Sequence, residues 1–371
     1  MKTTNGLYLH IPFCLSKCTY CDFYSVSIDT NIMNLYADAL VEEICNVAKN
    51  TQNKLVDTIY IGGGTPSVFP LLCLDKVINA IYKHFNVQLN EFSIEANPAT
   101  NIPFQEYKKL GINRISFGIQ TLNNDLLRLI GRRHNRDIAL KTIGDAQYYF
   151  DNVSCDLMLG LPTQSMEDVI DSSNILSKLV SHVSIYMLKL SSGVKMQRDI
   201  DRGTLKLPDD DLTVDFYDKA YDILKANGFE RYEISNFAKK GYECKHNLKY
   251  WNREDYIGLG AAAHGFIDGY RYFNPSNITD YINGVNFGKG KVDTQIVEYN
   301  DALFEKIMLA LRLREGLNIK DFNEEFHTDF EEKYSKQLFF LRNFLNKTNG
   351  FIKIKDEFLL LESAIAREFL D

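Results

Sequence analysis

The amino-acid sequence predicts an α/β fold: a partial (β/α)6 barrel of the TIM type with a smaller C-terminal domain. Short apolar segments alternate about six times with longer amphipathic segments over the first two-thirds of the chain, and this alternation is typical of a parallel sheet. Polar and glycine-containing motifs directly follow the strands. Because such barrels carry their functional residues at the C-terminal ends of the strands, one end of the barrel is expected to gather these motifs.

Each of the six predicted strands is a short, apolar, β-branched run bounded by glycine, proline or polar residues. The strands are Leu7–Ile11, Val56–Ile61, Phe92–Glu95, Arg114–Ile119, Val153–Leu157 and Val183–Leu188. Helical patterns lie at 32–48, 72–84, 103–109, 123–130, 136–149 and 167–180, and another follows the last strand at Asp209–Asn227. Gly228 is expected to end that helix, because glycine readily adopts the left-handed conformation of a C-terminal cap.

The alternation stops near residue 228 and divides the chain into three predicted parts. Residues 1–228 form the barrel. Residues 229–298, rich in Tyr, Phe, Gly and Asn, are expected to be an irregular connection. Residues 299–371 show helical patterns and a strand-like pair at Phe351–Ile354 and Phe358–Leu361. They predict a helical or winged-helix-like domain.

The charge balance disfavours a nucleic-acid partner. The formal net charge is -7, whereas nucleic-acid binding needs Lys and Arg to displace phosphate counterions. Arg312, Arg314 and Lys320 are expected to form a solvated face. No segment approaches the about 18 apolar residues of a membrane span, and the N-terminus lacks a signal-peptide pattern. We expect a cytoplasmic protein that meets membranes only through its partners.

Three of the seven cysteines, Cys14, Cys18 and Cys21, lie close together in the sequence. Thiolates are natural ligands of iron–sulfur clusters, and a compact loop can place three of them at three corners of a [4Fe–4S] cubane. The fourth iron then stays open, as in catalytic metal sites that keep one coordination position free. Zinc is the alternative from the residues alone. It requires a fourth ligand, for which His10 is near in sequence.

Polar residues at the later strands offer contacts to a bound ligand. Gly62-Gly63-Gly64-Thr65-Pro66 follows the second strand, and glycines let the backbone approach a ligand closely. Glu95, Gln120 and Asp156 lie at the third, fourth and fifth strands, and Arg132 could clamp a carboxylate through two parallel hydrogen bonds. Taken singly, each motif also has a structural explanation, such as a tight turn, a helix cap or a solvated side chain.

The segment Cys14-Leu-Ser-Lys-Cys18-Thr-Tyr-Cys21, followed by Phe23, resembles the signature of the radical S-adenosylmethionine superfamily. Together with the preceding Tyr8-Leu-His10-Ile-Pro-Phe-Cys14, it resembles more narrowly the family of oxygen-independent coproporphyrinogen III oxidases and their relatives, the HemW heme chaperones. The resemblance extends from Leu7 into the C-terminal domain. It implies a [4Fe–4S] cluster on the three cysteines, S-adenosylmethionine at the open iron, and reductive radical chemistry.

The resemblance also implies which residues contact S-adenosylmethionine. They are Tyr8 near the cluster, Phe23 at the adenine, Gly63, Gly64 and Thr65 at the methionyl amino group, Glu95, Gln120 and Asp156 at the nucleoside, and Arg132 at the carboxylate. Arg133 is the adjacent alternative to Arg132.

Within this family, three features favour the heme chaperones. Phe23 stands where the oxidases have a fourth cysteine, the oxidases' N-terminal extension is not seen before Cys14, and His246-Asn-Leu-Lys-Tyr-Trp251 matches a HemW motif. His246 is the predicted heme ligand, since imidazole binds heme iron, with Tyr250 and Trp251 against the porphyrin face. A purely structural histidine is the alternative. Cys244 and His264 are further candidate ligands.

The functional hypothesis is a heme chaperone that binds heme and delivers it to acceptor hemoproteins. A one-electron donor such as flavodoxin or ferredoxin is expected to reduce its cluster. The alternative is an oxygen-independent coproporphyrinogen III oxidase (dehydrogenase) of porphyrin biosynthesis, which the missing fourth cysteine and extension disfavour. An RNA-modifying radical enzyme shares the cysteine spacing, but the acidic balance disfavours it.

Overall fold

The predicted parallel barrel is confirmed in the computed structural model, which describes residues 4–51, 55–286 and 293–370. Six parallel strands lie side by side in chain order, so that their C-terminal ends share one edge. They are β1 (Thr4–Ile11), β2 (Leu55–Gly63), β3 (Asn86–Ala96), β4 (Arg114–Gln120), β5 (Asn152–Leu159) and β6 (His182–Met187).

Helices follow each of these strands, as the sequence predicts. They are α1 (Thr30–Asn50), α2 (Leu71–His84), α3 (Phe104–Lys109), α4 (Asn124–Leu129), α5 (Arg136–Gln147), α6 (Met166–Leu179), α7 (Lys195–Asp201) and α8 (Asp210–Ala226). Side chains cap several of them: Asp29 accepts hydrogen bonds from two backbone N–H groups at the start of α1. Among the described residues, no helix is both long enough and apolar enough to cross a membrane.

The region 229–298 extends the sheet at both edges, and the expectation of an irregular connection is wrong there. Its elements are β7 (Glu230–Arg231), β8 (Asn236–Ala238), α9 (Lys245–Trp251), β9 (Tyr256–Leu259), β10 (His264–Ile267), β11 (Tyr270–Phe273), α10 (Ile278–Asn286) and β12 (Asp293–Ile296). β8 pairs with β6, and β9 pairs in parallel with β1. Strands this short carry too few alternations for a sequence pattern to show them. The exact division of the chain at 228 and 298 stays a prediction.

The C-terminal part has its own apolar core, built around Phe322, Phe330 and Tyr334. Its elements are α11 (Tyr299–Leu311), β13 (Leu317–Asn318), α12 (Ile319–Phe326), α13 (Phe330–Lys333), α14 (Ser335–Phe340), β14 (Leu345–Thr348), β15 (Phe351–Ile354) and α15 (Glu362–Arg367). The helical character predicted for it is confirmed. The strand predicted at Phe358–Leu361 is wrong, because that segment lies in a 3-10 helix and β15 pairs with β14 and β13 instead.

A buried ion pair joins this C-terminal part to the barrel side of the molecule. Arg312 Nη2 lies 3.2 Å from Oε2 of Glu233, which is fully buried. The same guanidinium packs over the ring of Trp251, 4.4 Å from the ring centre. The expectation that Arg312 belongs to a solvated face is therefore wrong. Arg314 is half-exposed and pairs with Glu230 on the surface.

Candidate functional site

The three clustered cysteines lie on a loop that leaves the C-terminal end of β1. Two short backbone pairings close the base of this loop, Phe13 with Val26 and Cys14 with Ser27. Lys17 Nζ donates a hydrogen bond of 3.0 Å to the carbonyl oxygen of Phe23 across the loop. These contacts hold the cysteines over the mouth of the barrel, at the edge where all the parallel strands end.

All three thiols line one cavity of about 420 Å³ at this mouth. Burial raises the pKa of Cys21, and the neighbouring Cys18 and Cys14 sulfurs raise it further. Among the described residues, no three metal-ligating side chains converge on a point where a single ion would sit. A cubane differs from a single ion because separate irons take the three thiolates. The donor set therefore fits the cluster predicted from the sequence.

The glycine turn after β2 forms the wall of the cavity next to Cys14. Gly63 has a φ of +115°, which side chains rarely tolerate. A Cβ on Gly64 would lie 2.8 Å from the Phe13 carbonyl oxygen and 3.0 Å from Cys14 Sγ. Thr65 Oγ1 lies 3.5 Å from the same sulfur. The glycines thus leave room for both the cysteine loop and a ligand in the cavity.

Two carboxylates, Glu95 and Asp156, face the interior of this cavity. Glu95 accepts hydrogen bonds from Tyr60 (2.9 Å) and from the backbone N–H of Gly63 (3.2 Å). Its deep position and the nearby Asp156 raise the pKa of Glu95 to about 7. Burial also raises the pKa of Asp156. Such carboxylates can accept hydrogen bonds from hydroxyl or amine groups of a bound nucleoside.

Gln120 and Arg132 also line the cavity and carry polar atoms without partners. Gln120 has a φ of +70°, and its buried Oε1 accepts no hydrogen bond in the described structure. Such an orphaned acceptor is costly unless a ligand or water satisfies it. Arg132 Nε is likewise unpartnered. Of the two adjacent arginines, Arg132 points inward, and Arg133 is exposed.

The two remaining predicted contacts differ in position. Phe23 lines the cavity with its side chain 67% exposed, as a residue at the opening would. Tyr8 lies behind the cavity wall, separated from it by His10. The Tyr8 hydroxyl is 3.0 Å from His10 Nδ1, and the His10 ring lies against Gly63 in that wall. Tyr8 is not among the residues that line the cavity, and its contact with a ligand stays a prediction.

Several residues that line the cavity are not among the contacts predicted from the sequence. They are Tyr20, Asn97, Ser116, Tyr186 and Lys189. Ser116 could have been found, because it shares the inward face of β4 with Gly118 and Gln120 at alternate positions. Tyr186 lies near the C-terminal end of β6, where parallel barrels place functional residues.

The predicted heme ligand His246 lies outside this cavity, on α9. This helix packs at the opposite end of the barrel, near the N-terminal ends of β1 and β2. The His246 ring is fully buried, with Nδ1 2.9 Å from Thr58 Oγ1 and Nε2 2.8 Å from the Tyr250 hydroxyl. Burial, together with the charges of Lys249 and Arg114, lowers the pKa of His246 to about 3. Both ring nitrogens are therefore committed, and this geometry gives no support to heme ligation by His246.

The other residues around this motif are also occupied by internal contacts. The buried Cys244 donates a hydrogen bond to Glu91 over 3.2 Å. Tyr250 packs edge-on against Tyr256, and Trp251 lies under Arg312. The motif thus holds the barrel, its sheet extension and the C-terminal part together.

His264, by contrast, is exposed, and among the described residues its imidazole contacts only the ring of Phe273. It lies at the start of β10 directly opposite Phe273, and the two rings are 5.6 Å apart. His264 is also near His10: burial lowers the pKa of His10 to about 4, and the charge of His264 contributes to this lowering. The imidazole of His264 is therefore accessible on the side of the barrel that carries the cysteine loop.

Comparison with known proteins defines the class to which this fold and cavity belong. The model of the radical SAM superfamily matches residues 8–175, and the model of the HemN C-terminal domain matches residues 297–363. The chain belongs to the family of proteins named heme chaperone HemW. It is 35% identical to the Lactococcus lactis member over 91% of this chain and 89% of that protein, and 37% identical to the Bacillus subtilis member over 86% of each.

Among solved structures, coproporphyrinogen III oxidase (HemN) from Escherichia coli is similar throughout. The TM-score is 0.87, and the match covers 100% of this chain and 90% of that one, at 20% sequence identity. At this identity the likeness shows a shared fold and carries no conclusion about activity.

Proposed function

We propose that this protein is a heme chaperone that holds a [4Fe–4S] cluster on Cys14, Cys18 and Cys21 and S-adenosylmethionine in the adjoining cavity. The observation that carries this proposal is the relationship to curated proteins named heme chaperone HemW over most of the chain. The cavity supports the proposal, because three thiols, the glycine turn and a buried Gln120 oxygen that accepts no hydrogen bond all line it.

The residues of the cavity suit the two parts of S-adenosylmethionine. Glu95, Asp156 and the side-chain amide oxygen of Gln120 offer acceptors to the nucleoside hydroxyl and amine groups, and the glycine turn gives the methionyl end access to the backbone. When bound, the cluster supplies one electron for reductive cleavage of the cofactor. The lining side chains orient the ligand and limit access of water and oxygen.

The accessible ligand for heme iron in this proposal is His264. The exposed histidines are His84, His264 and His327. His84 pairs with Cys45, and His327 lies in the C-terminal part, at the end of α12. His264 combines a free imidazole with the neighbouring ring of Phe273, and heme iron readily takes such a ligand. Acceptor hemoproteins and a flavodoxin- or ferredoxin-type electron donor belong to the same proposal.

No specific observation favours the coproporphyrinogen III oxidase alternative. The likeness to HemN from Escherichia coli is one of fold. Phe23, which stands where the resembling oxidases have a further cysteine, places an aromatic ring and no thiol at the cavity.

Hemin titration followed by absorbance in the Soret region tests this proposal. We expect the anaerobically purified wild-type protein to give a saturable Soret change. The His264→Ala variant is expected to bind hemin about 10-fold or more weakly, since loss of an iron ligand costs at least as much as loss of an outer-shell partner. His84→Ala is the matched control and is expected to bind like wild type.

The outcomes separate the function from the ligand assignment. A wild-type protein without any Soret change contradicts heme binding itself. Wild-type affinity in His264→Ala leaves the heme chaperone proposal intact and excludes His264 as the ligand.

A further inference from the structure

The guanidinium of Arg132 contacts a cysteine of the loop directly. Arg132 Nη1 donates a hydrogen bond of 3.4 Å to Cys18 Sγ, and Nη2 donates to the Gly118 carbonyl oxygen. Gly118 makes this approach possible, because a Cβ there would lie 2.9 Å from Nη2. These two bonds use one N–H of each terminal nitrogen, and Nε has no partner, so donors remain for a ligand and the carboxylate clamp predicted for Arg132 stays a prediction.

A second residue of the cavity lies on the same side of Cys18. The Tyr20 side chain interacts with both Cys18 and Arg132. Cys18 consequently has a positive charge and a phenol beside its sulfur. Each of the other two cysteines differs: Cys14 lies next to the neutral Thr65 hydroxyl, and Lys17, near Cys21, directs its amine to the Phe23 carbonyl oxygen.

We infer that Arg132 is a positioning residue that sets the reduction potential of the cluster through its hydrogen bond to the Cys18 sulfur. This inference rests on the cluster proposed above. Reduction by a one-electron donor adds one negative charge to a cluster, and hydrogen bonds to its sulfurs are among the factors that set its potential. A buried cation stabilises that extra charge more strongly than a solvated one, because the surrounding dielectric is low.

The direction of the effect follows from the charge. Arg132 favours the reduced form and makes the cluster easier to reduce. Substitution by a neutral side chain is therefore expected to shift the midpoint potential to more negative values. Arg133 is the matched control, because it carries the same charge one residue away and is exposed to solvent.

The test is a potentiometric titration of the reconstituted cluster, without S-adenosylmethionine, followed by electron paramagnetic resonance. We expect Arg132→Gln to titrate at a clearly more negative potential than wild type, Arg132→Lys to lie between them, and Arg133→Gln to match wild type. If the glutamine variant fails to retain its cluster, the midpoint potential of the lysine variant is compared with that of wild type. Lysine keeps the charge and loses the planar donor geometry.

Iron and sulfide content are measured first, so that two failures can be told apart. A wild-type protein without a cluster contradicts the proposed function. A cluster whose potential is the same in Arg132→Gln, Arg132→Lys and wild type overturns the inference alone, even if S-adenosylmethionine binding changes.

Discussion

Replacing Cys18 by alanine is expected to leave the anaerobically reconstituted protein almost without iron and acid-labile sulfide. Cys14, Cys18 and Cys21 share one cavity, and each thiolate holds a different corner of the proposed cubane. Removing one leaves two irons without a protein ligand. Loss of an outer-shell partner already lowers metal affinity by about 10- to 100-fold, so loss of a direct ligand is expected to exceed this range.

Cys45→Ala is the matched control for this prediction. Cys45 is also partly exposed, but it lies on α1 and contacts His84. We expect it to keep the wild-type iron and sulfide content. Thermal unfolding of the metal-free forms should be similar for both variants, which shows that the fold is intact. A full cluster in Cys18→Ala would exclude this thiol as a ligand.

Replacing Arg312 by alanine is expected to destabilise the folded protein by about 3–5 kcal/mol. Glu233 is fully buried, and its carboxylate is paired with Arg312 while also accepting hydrogen bonds from Ser235 N–H and Asn236. Removing the cation leaves a buried charge without its partner, which is costly. The Trp251 ring also loses its cation contact.

Denaturant unfolding of Arg312→Ala and Arg314→Ala measures this difference. Arg314 forms a half-exposed pair with Glu230, and such surface pairs contribute about 1 kcal/mol or less. We expect Arg314→Ala to unfold nearly like wild type. Equal stability of Arg312→Ala and wild type at pH 8 would contradict the structural role of this ion pair.

The pH dependence of the Arg312 effect follows from Glu233. Burial raises the pKa of Glu233 even with Arg312 present, and loss of the arginine raises it further. When the folded-state pKa of a carboxyl lies above its unfolded value, the folded protein keeps a proton that the unfolded protein has already released. The free energy of unfolding therefore falls as the pH rises above the unfolded pKa. The destabilisation should therefore be larger at pH 8 than at pH 5.

The barrel and most of the cavity could be predicted because their signals are local. Each parallel strand is a short apolar run, and the residue at its end, such as Glu95 or Gln120, is fixed by the strand itself. Once six strands lie in parallel, those ends meet at one edge. The cysteine loop leaves β1 at the same edge, so the local pattern is sufficient to place it.

The role of the His246 motif could not be predicted, because its partners are distant in sequence. Its hydrogen bond to Thr58 spans 188 residues, and a Cβ on Gly6 would lie 3.0 Å from its ring. An exposed and a buried histidine look alike in sequence, so the choice between His246 and His264 needs tertiary structure.

The hairpin near the C-terminus carries a local signal in the sequence. Asn349 and Gly350 have φ angles of 53° and 81°, as in the Asn-Gly turns that join tight hairpins. This pair connects β14 to β15. An Asn-Gly turn at this place favours a partner strand before Phe351 over the one predicted at Phe358–Leu361.

Electron paramagnetic resonance of the reduced wild-type protein, recorded before and after addition of S-adenosylmethionine, tests most directly whether a cubane with an open iron faces this cavity. We expect a [4Fe–4S] signal whose shape changes on addition of the cofactor, because the ligand binds at the iron that no cysteine holds. A signal that stays the same at saturating cofactor, or protein that carries zinc on these thiols after anaerobic purification, would contradict the account.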